Sequence, residues 1–90
     1  MVETVLFENE RVLDRSAVAD YLRSLADSLD EGSDVTLSAG EQSVTLAPPS
    51  QVEFEVKAER EGPAEGNGEL SIEVELEWPE HATDDELSID

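Results

Sequence analysis

The segment Leu70-Ser71-Ile72-Glu73-Val74-Glu75-Leu76-Glu77-Trp78 alternates apolar and polar residues without a break and stops at Trp78-Pro79. Successive side chains of a strand point to opposite faces, so this stretch has one apolar face and one almost wholly anionic face. Leu70, Ile72, Val74, Leu76 and Trp78 are expected on a core. Ser71, Glu73, Glu75 and Glu77 are expected in solvent.

The segment before it reads the same way. Val52, Phe54, Val56 and Ala58 alternate with Glu53, Glu55, Lys57 and Glu59. The intervening stretch from Glu61 to Gly68 holds Gly62, Pro63, Gly66, Asn67 and Gly68, a loop by composition. Further upstream, Val35, Leu37 and Ala39 alternate with Thr36 and Ser38, Gly40-Glu41 makes a turn, and Val44 and Leu46 alternate with Ser43 and Thr45. That is a hairpin. Pro48-Pro49 then interrupts pairing and redirects the chain.

Before Gly32 the period is helical. Val18, Leu22, Leu25 and Leu29 are spaced four, three and four apart and trace one face of an α-helix. Ala17, Tyr21 and Ala26 widen that face. Asp14 and Ser16 are both able to cap the helix, with Ser16 better placed for the stripe. Gly32 suits the left-handed stop. Thr4-Val5-Leu6-Phe7-Glu8 reads as a short first strand. From Glu80 to Asp90 little is available to bury, and the segment reads as a mobile acidic tail.

The expected fold is therefore α+β and two-layered. One amphipathic helix packs on a largely antiparallel sheet of about five strands, in the order β-α-β-β-β-β. Residues 1–79 form one domain and residues 80–90 the tail. Leu22, Leu25 and Leu29 are expected to pack on Phe54, Val56, Ile72, Val74 and Leu76. A right-handed crossover, placing the first strand parallel beside the second, is the simplest topology.

Ninety residues are enough for one such core and not for two domains. The formal net charge is −19, from 24 acidic residues against five basic ones. Unscreened carboxylates repel one another and favour expansion of the chain. At about 1 M salt the Debye length falls to about 3 Å and most of that repulsion is screened. The charge thus points to a salt-filled, haloarchaeal type of cytoplasm, with K⁺ or Na⁺ held diffusely as counterions. Nucleic-acid binding is disfavoured, because phosphate contacts require clustered Lys and Arg. The chain has no cysteine, which removes disulfides, thiolate metal sites and cysteine nucleophiles. No stretch reaches the length of a membrane span, and the N-terminus lacks a signal-peptide pattern, so a cytoplasmic location is expected.

The assembled features resemble the amphi-Trp domain, a small family found chiefly in halophilic archaea. They are Ser16-Ala17 with Leu22, Leu25-Ala26, Leu29 and Gly32; the Val44-Thr45-Leu46 to Pro48-Pro49 turn; the Val52–Val56 strand; and Glu69 to Trp78. The likeness spans roughly residues 3 to 79. It implies a fold outline and a source, and brings no catalytic residues and no cofactor.

Chemistry-bearing residues are few. Glu53, Glu55, Glu59, Glu73, Glu75 and Glu77 form a carboxylate carpet, which suits hard cations by ligand type. No ligand-spaced calcium loop accompanies it, and a flat sheet offers side-by-side carboxylates rather than a cage. Trp78 is in phase with the apolar face and belongs to a core rim. His81 is the sole histidine and has no nucleophile or orienting partner with which to make a triad. No nucleophile elbow, phosphate loop or zinc spacing is present. The sequence therefore names no catalytic, cofactor or metal residues.

Two function classes follow. One is a noncatalytic interaction or scaffold module, either weakly homo-oligomeric or bound to another protein. The other binds a small metabolite or cation, in a helix–sheet pocket or on the carboxylate face. For the first class the expected contact surface is Val5, Leu6 and Phe7, because a single helix layer covers only one face of the sheet and the outer strands are defended by charge.

Overall fold

A helix, α1, runs over Arg15–Glu31 and both of its ends follow from local chemistry. Asp14 is the N-cap, with extended backbone, and its carbonyl accepts hydrogen bonds from the N–H groups of Ala17 and Val18 at 3.0 and 3.1 Å. Ser16, the favoured cap in the sequence reading, lies inside the first turn. Gly32 ends the helix at φ 69°, ψ 24°, a conformation in which any Cβ is strained. Its N–H bonds to the Leu29 carbonyl and that of Ser33 to the Ser28 carbonyl, which together satisfy two orphan carbonyls of the last turn.

The structure is a computed structural model that describes residues 2–81. The chain comprises two compact units that divide between Pro48 and Pro49. In the first, α1 is followed by β1 (Val35–Ala39) and β2 (Gln42–Leu46). They pair antiparallel with Val35 opposite Leu46 and Ala39 opposite Gln42. The two-residue connection Gly40-Glu41 has positive φ at Gly40 alone, as a type II′ hairpin turn requires. One face of this hairpin carries Val35, Leu37, Ala39, Val44 and Leu46. The other is polar, where the hydroxyls of Thr36 and Thr45 lie 2.9 Å apart across the strands. Helix α1 lies against β1.

The second unit is a longer hairpin, β3 (Glu53–Glu61) and β4 (Glu69–Glu77), in unbroken antiparallel register from Glu53 opposite Glu77 to Glu61 opposite Glu69. The connecting loop contains two close approaches. A Cβ on Gly62 would meet the Gly68 backbone at 2.7 Å, and one on Gly68 would meet the Glu61 carbonyl at 2.7 Å. The Arg60 guanidinium donates to the Pro63 carbonyl at 2.8 Å, which ties the loop back to β3.

The α+β class holds, with one helix and antiparallel strands. The strand count and the sheet do not. Residues 4–8 form no strand, and the four strands make two separate two-stranded sheets, β1-β2 and β3-β4, rather than one sheet of about five. The backbone at Glu8 instead bonds to a side chain. Its N–H donates to Gln42 Oε1 at 3.5 Å and its carbonyl accepts from Gln42 Nε2 at 3.2 Å. The Gln42 amide supplies one donor and one acceptor, as a neighbouring strand residue does, without starting a ladder. The expected parallel crossover beside β1 is accordingly absent. Most of the acidic C-terminal segment, from residue 82 onward, lies outside the described residues.

No described side chain is fully buried. The period-two pattern correctly sorts residues onto faces, but the apolar face of β3-β4 is not a buried core.

Candidate functional site

The register of β3 and β4 determines which side chains share a face. Phe54 stands opposite Leu76, Val56 opposite Val74, Ala58 opposite Ile72 and Arg60 opposite Leu70. This gives one face two strands wide that is apolar over about 20 Å, at about 3.3 Å per residue, with Arg60 at one end. Water reaches most of it. Phe54 is 63% exposed, Val56 59%, Val74 51%, Ile72 80% and Leu70 83%. Only Leu76 is half-buried, together with Val52 and Trp78 at the next positions outward. The face is uneven. The small Ala58 side chain leaves an open depression of about 670 Å³, lined by Ala58, Arg60, Leu70 and Ile72 with Glu59 and Ser71 at its edge.

The opposite face is the expected carboxylate carpet. Glu53 faces Glu77, Glu55 faces Glu75 and Lys57 faces Glu73. Lys57 is the one cation in the middle of it, with Nζ 3.5 Å from Glu59 and 3.6 Å from Glu73. The attraction of Glu59 first, then of Glu73, raises the Lys57 pKa above its ordinary value. Along β4, Glu75 shares a hydrogen bond with Glu77 and feels its charge, and both effects raise the Glu75 pKa. These carboxylates lie side by side. Among the described residues, no group of three or more His, Asp or Glu side chains is arranged to hold a metal ion.

The segment singled out from sequence, Val5, Leu6 and Phe7, belongs to the first unit. Val5 and Leu6 are exposed and Phe7 is half-buried. With no strand there, these residues do not form the uncovered sheet edge expected from the sequence. Phe7 instead lines an open depression of about 740 Å³ with Leu13, Tyr21, Leu37 and Ala39. Arg11 also borders it, and its Nε donates to Asn9 Oδ1 at 3.1 Å. His81 lies beside Glu80, with Nε2 3.5 Å from a carboxylate oxygen; both are exposed and project no further chemistry.

The apolar face of β3-β4 is legible in the sequence as a pattern, the same pattern that a core strand carries. The alternation is unbroken over Leu70–Trp78 on one strand and ends at Ala58 on the other, where Arg60 takes the next position of the face.

Among the described residues, no helix is long and apolar enough to cross a membrane. No curated protein and no solved structure matches the chain. One family model matches residues 1–90, over the whole length of both hairpins and the helix: the chain belongs to the Amphi-Trp domain family.

Proposed function

We propose that this chain is a noncatalytic protein-interaction module operating in a salt-rich cytoplasm. The observation that carries this reading is the exposed apolar face of β3-β4. Five large side chains that average about two-thirds exposed leave about 300 Å² of apolar side-chain surface in water, at about 60–120 Å² per fully exposed large apolar side chain. That is the size of the largest apolar patch on an ordinary soluble monomer, where such patches mark contact sites. A two-stranded hairpin is also marginal by itself in water and gains stability when something packs on it. Val5 and Leu6 add a smaller exposed pair in the first unit.

The charge supports the salt-rich setting. At −19 the chain repels itself and any acidic neighbour until salt screens the interaction. Apolar contact is the form of association that salt leaves intact.

A second reading, binding of a small metabolite, is favoured by the depression lined by Phe7, Leu13, Tyr21 and Leu37, because apolar walls with a few polar groups suit such ligands. Affinity capture in molar KCl separates the two. The module reading expects proteins retained by the wild type, their loss with Ile72→Glu, and a smaller loss with Leu6→Glu. Identical retention by all three, or no retention and no self-association, removes it. A thermal-shift response to metabolites that Tyr21→Ala abolishes would favour the pocket.

A further inference from the structure

We propose that the apolar face of β3-β4 is occupied by the same face of a second copy of this chain, in a twofold face-to-face contact with β3 lying antiparallel over its counterpart. This rests on the reading of the chain as an interaction module and names the partner.

The shape of the face carries the proposal. Val56 and Val74 are directly opposed at the centre of the hairpin's apolar set. Two residues to one side on β3 stands Phe54, the bulkiest side chain of the strands' apolar face. Two residues to the other side stands Ala58, the smallest, over the open depression it shares with Ile72 and Leu70. A twofold axis between the sheets, crossing the strands at the Val56–Val74 level, places each Phe54 over the Ala58 of the other copy. The same operation sets Leu76 over Ile72, and Val56 and Val74 over themselves. Large then meets small twice, as close packing of two sheets requires. The alternative axis, along the strands, sets Ile72 over Ala58 but stacks the bulky Phe54 on Leu76 instead of over the smallest side chain of the face.

Area and charge bound the strength of this contact. About 300 Å² of apolar side chain from each copy gives about 600 Å², the size of a weak, concentration-dependent contact rather than a permanent one. Face-to-face packing also leaves the Glu53, Glu55, Glu73 and Glu75 carboxylates on the two outer surfaces, separated by the full thickness of the sandwich. Pairing edge to edge would instead extend the carboxylate rows of one copy into those of the other, with like charges adjacent. A basic partner would be drawn to the acidic face rather than to this one, where Arg60 is the only charged side chain and is already bonded to the loop.

Sedimentation equilibrium in molar KCl tests the contact, with circular dichroism confirming strand content. The wild type is expected to dimerise reversibly as its concentration rises. Phe54→Ala and Ala58→Phe are each expected to raise the dimer Kd about a hundredfold or more, the first by emptying the depression and the second by crowding two rings together. The double variant, which moves the ring from one side of the axis to the other, is expected to recover most of the lost affinity. In a mixed labelled and unlabelled wild-type sample, an isotope-filtered NOE should connect Phe54 to the Ala58 methyl of the other copy. That measurement keeps the test decisive where a variant fails to fold. A strictly monomeric wild type, a dimer indifferent to all three variants, a double variant no better than either single, or a dimer lacking the intermolecular NOE overturns the proposal. A monomer whose capture of another protein depends on Ile72 overturns it while leaving the module reading in place.

Discussion

Truncating Ile72 to Ala separates a surface from a core by a quantity that depends on protein concentration. Full burial of an Ile side chain is worth about 1.5–3 kcal/mol. Ile72 is 80% exposed in the single chain, so only about one-fifth of that, about 0.3–0.6 kcal/mol, is available to lose when the chain is alone. Reduced strand preference of Ala adds up to about 0.5 kcal/mol. At concentrations where a second copy covers the face, the remaining four-fifths come into play, and the loss should rise to about 2–3 kcal/mol. Urea unfolding in molar KCl, at a dilute and a concentrated protein level, measures both limits. Trp78 is the only tryptophan and directly follows β4, so its fluorescence reports this hairpin. A loss of 2 kcal/mol or more at high dilution, unchanged by concentration, would show that the face is covered within one chain and would refute the reasoning.

Gly32→Ala should destabilise α1 by about 1–2 kcal/mol in thermal unfolding, since its φ of 69° is unfavourable to any Cβ while nothing within 4 Å would clash with one; Gly32→Asn should recover part of the loss. Lowering KCl from molar to tens of millimolar should abolish cooperative unfolding followed by circular dichroism, with divalent cations restoring it at lower concentration. Glu75 has a folded pKa raised above its ordinary 4.5, chiefly by its hydrogen bond with Glu77 and then by that carboxylate's charge. The folded hairpin therefore holds this proton more tightly than the unfolded chain. Its contribution to stability is present below that ordinary value and is lost as pH rises through the raised folded one. Urea titrations across that range should show hairpin stability falling toward neutral pH, and Glu75→Gln should flatten the fall; an identical slope in the variant would remove Glu75 as its source.

The local structure was legible because its causes are local. The helical spacing from Val18 to Leu29 and the glycine at position 32 specify α1 and its end without reference to any other element. The alternation from Val52 to Ala58 and from Leu70 to Trp78 fixes, for every residue of β3 and β4, which of two faces it joins. The N-cap was less legible. Asp14 and Ser16 have similar intrinsic preferences, and the choice between them rests on where the backbone enters the helix.

Three matters needed the tertiary structure. The apolar run Val5 to Phe7 is too short to secure a ladder, and a strand exists only where an edge accepts it; the Gln42 side chain takes the Glu8 backbone groups instead. One sheet or two cannot be read from strand patterns, since the same alternation serves a central strand and an isolated hairpin. Most consequentially, periodicity says which face of β3-β4 is apolar and is silent about what lies against it. Local patterning thus specifies α1, the two hairpins and their faces, and composition specifies the −19 charge of the whole chain. The tertiary structure alone decided that the apolar face meets water, because burial depends on the position of atoms remote in the chain, whereas facing depends only on the backbone geometry of the strand itself.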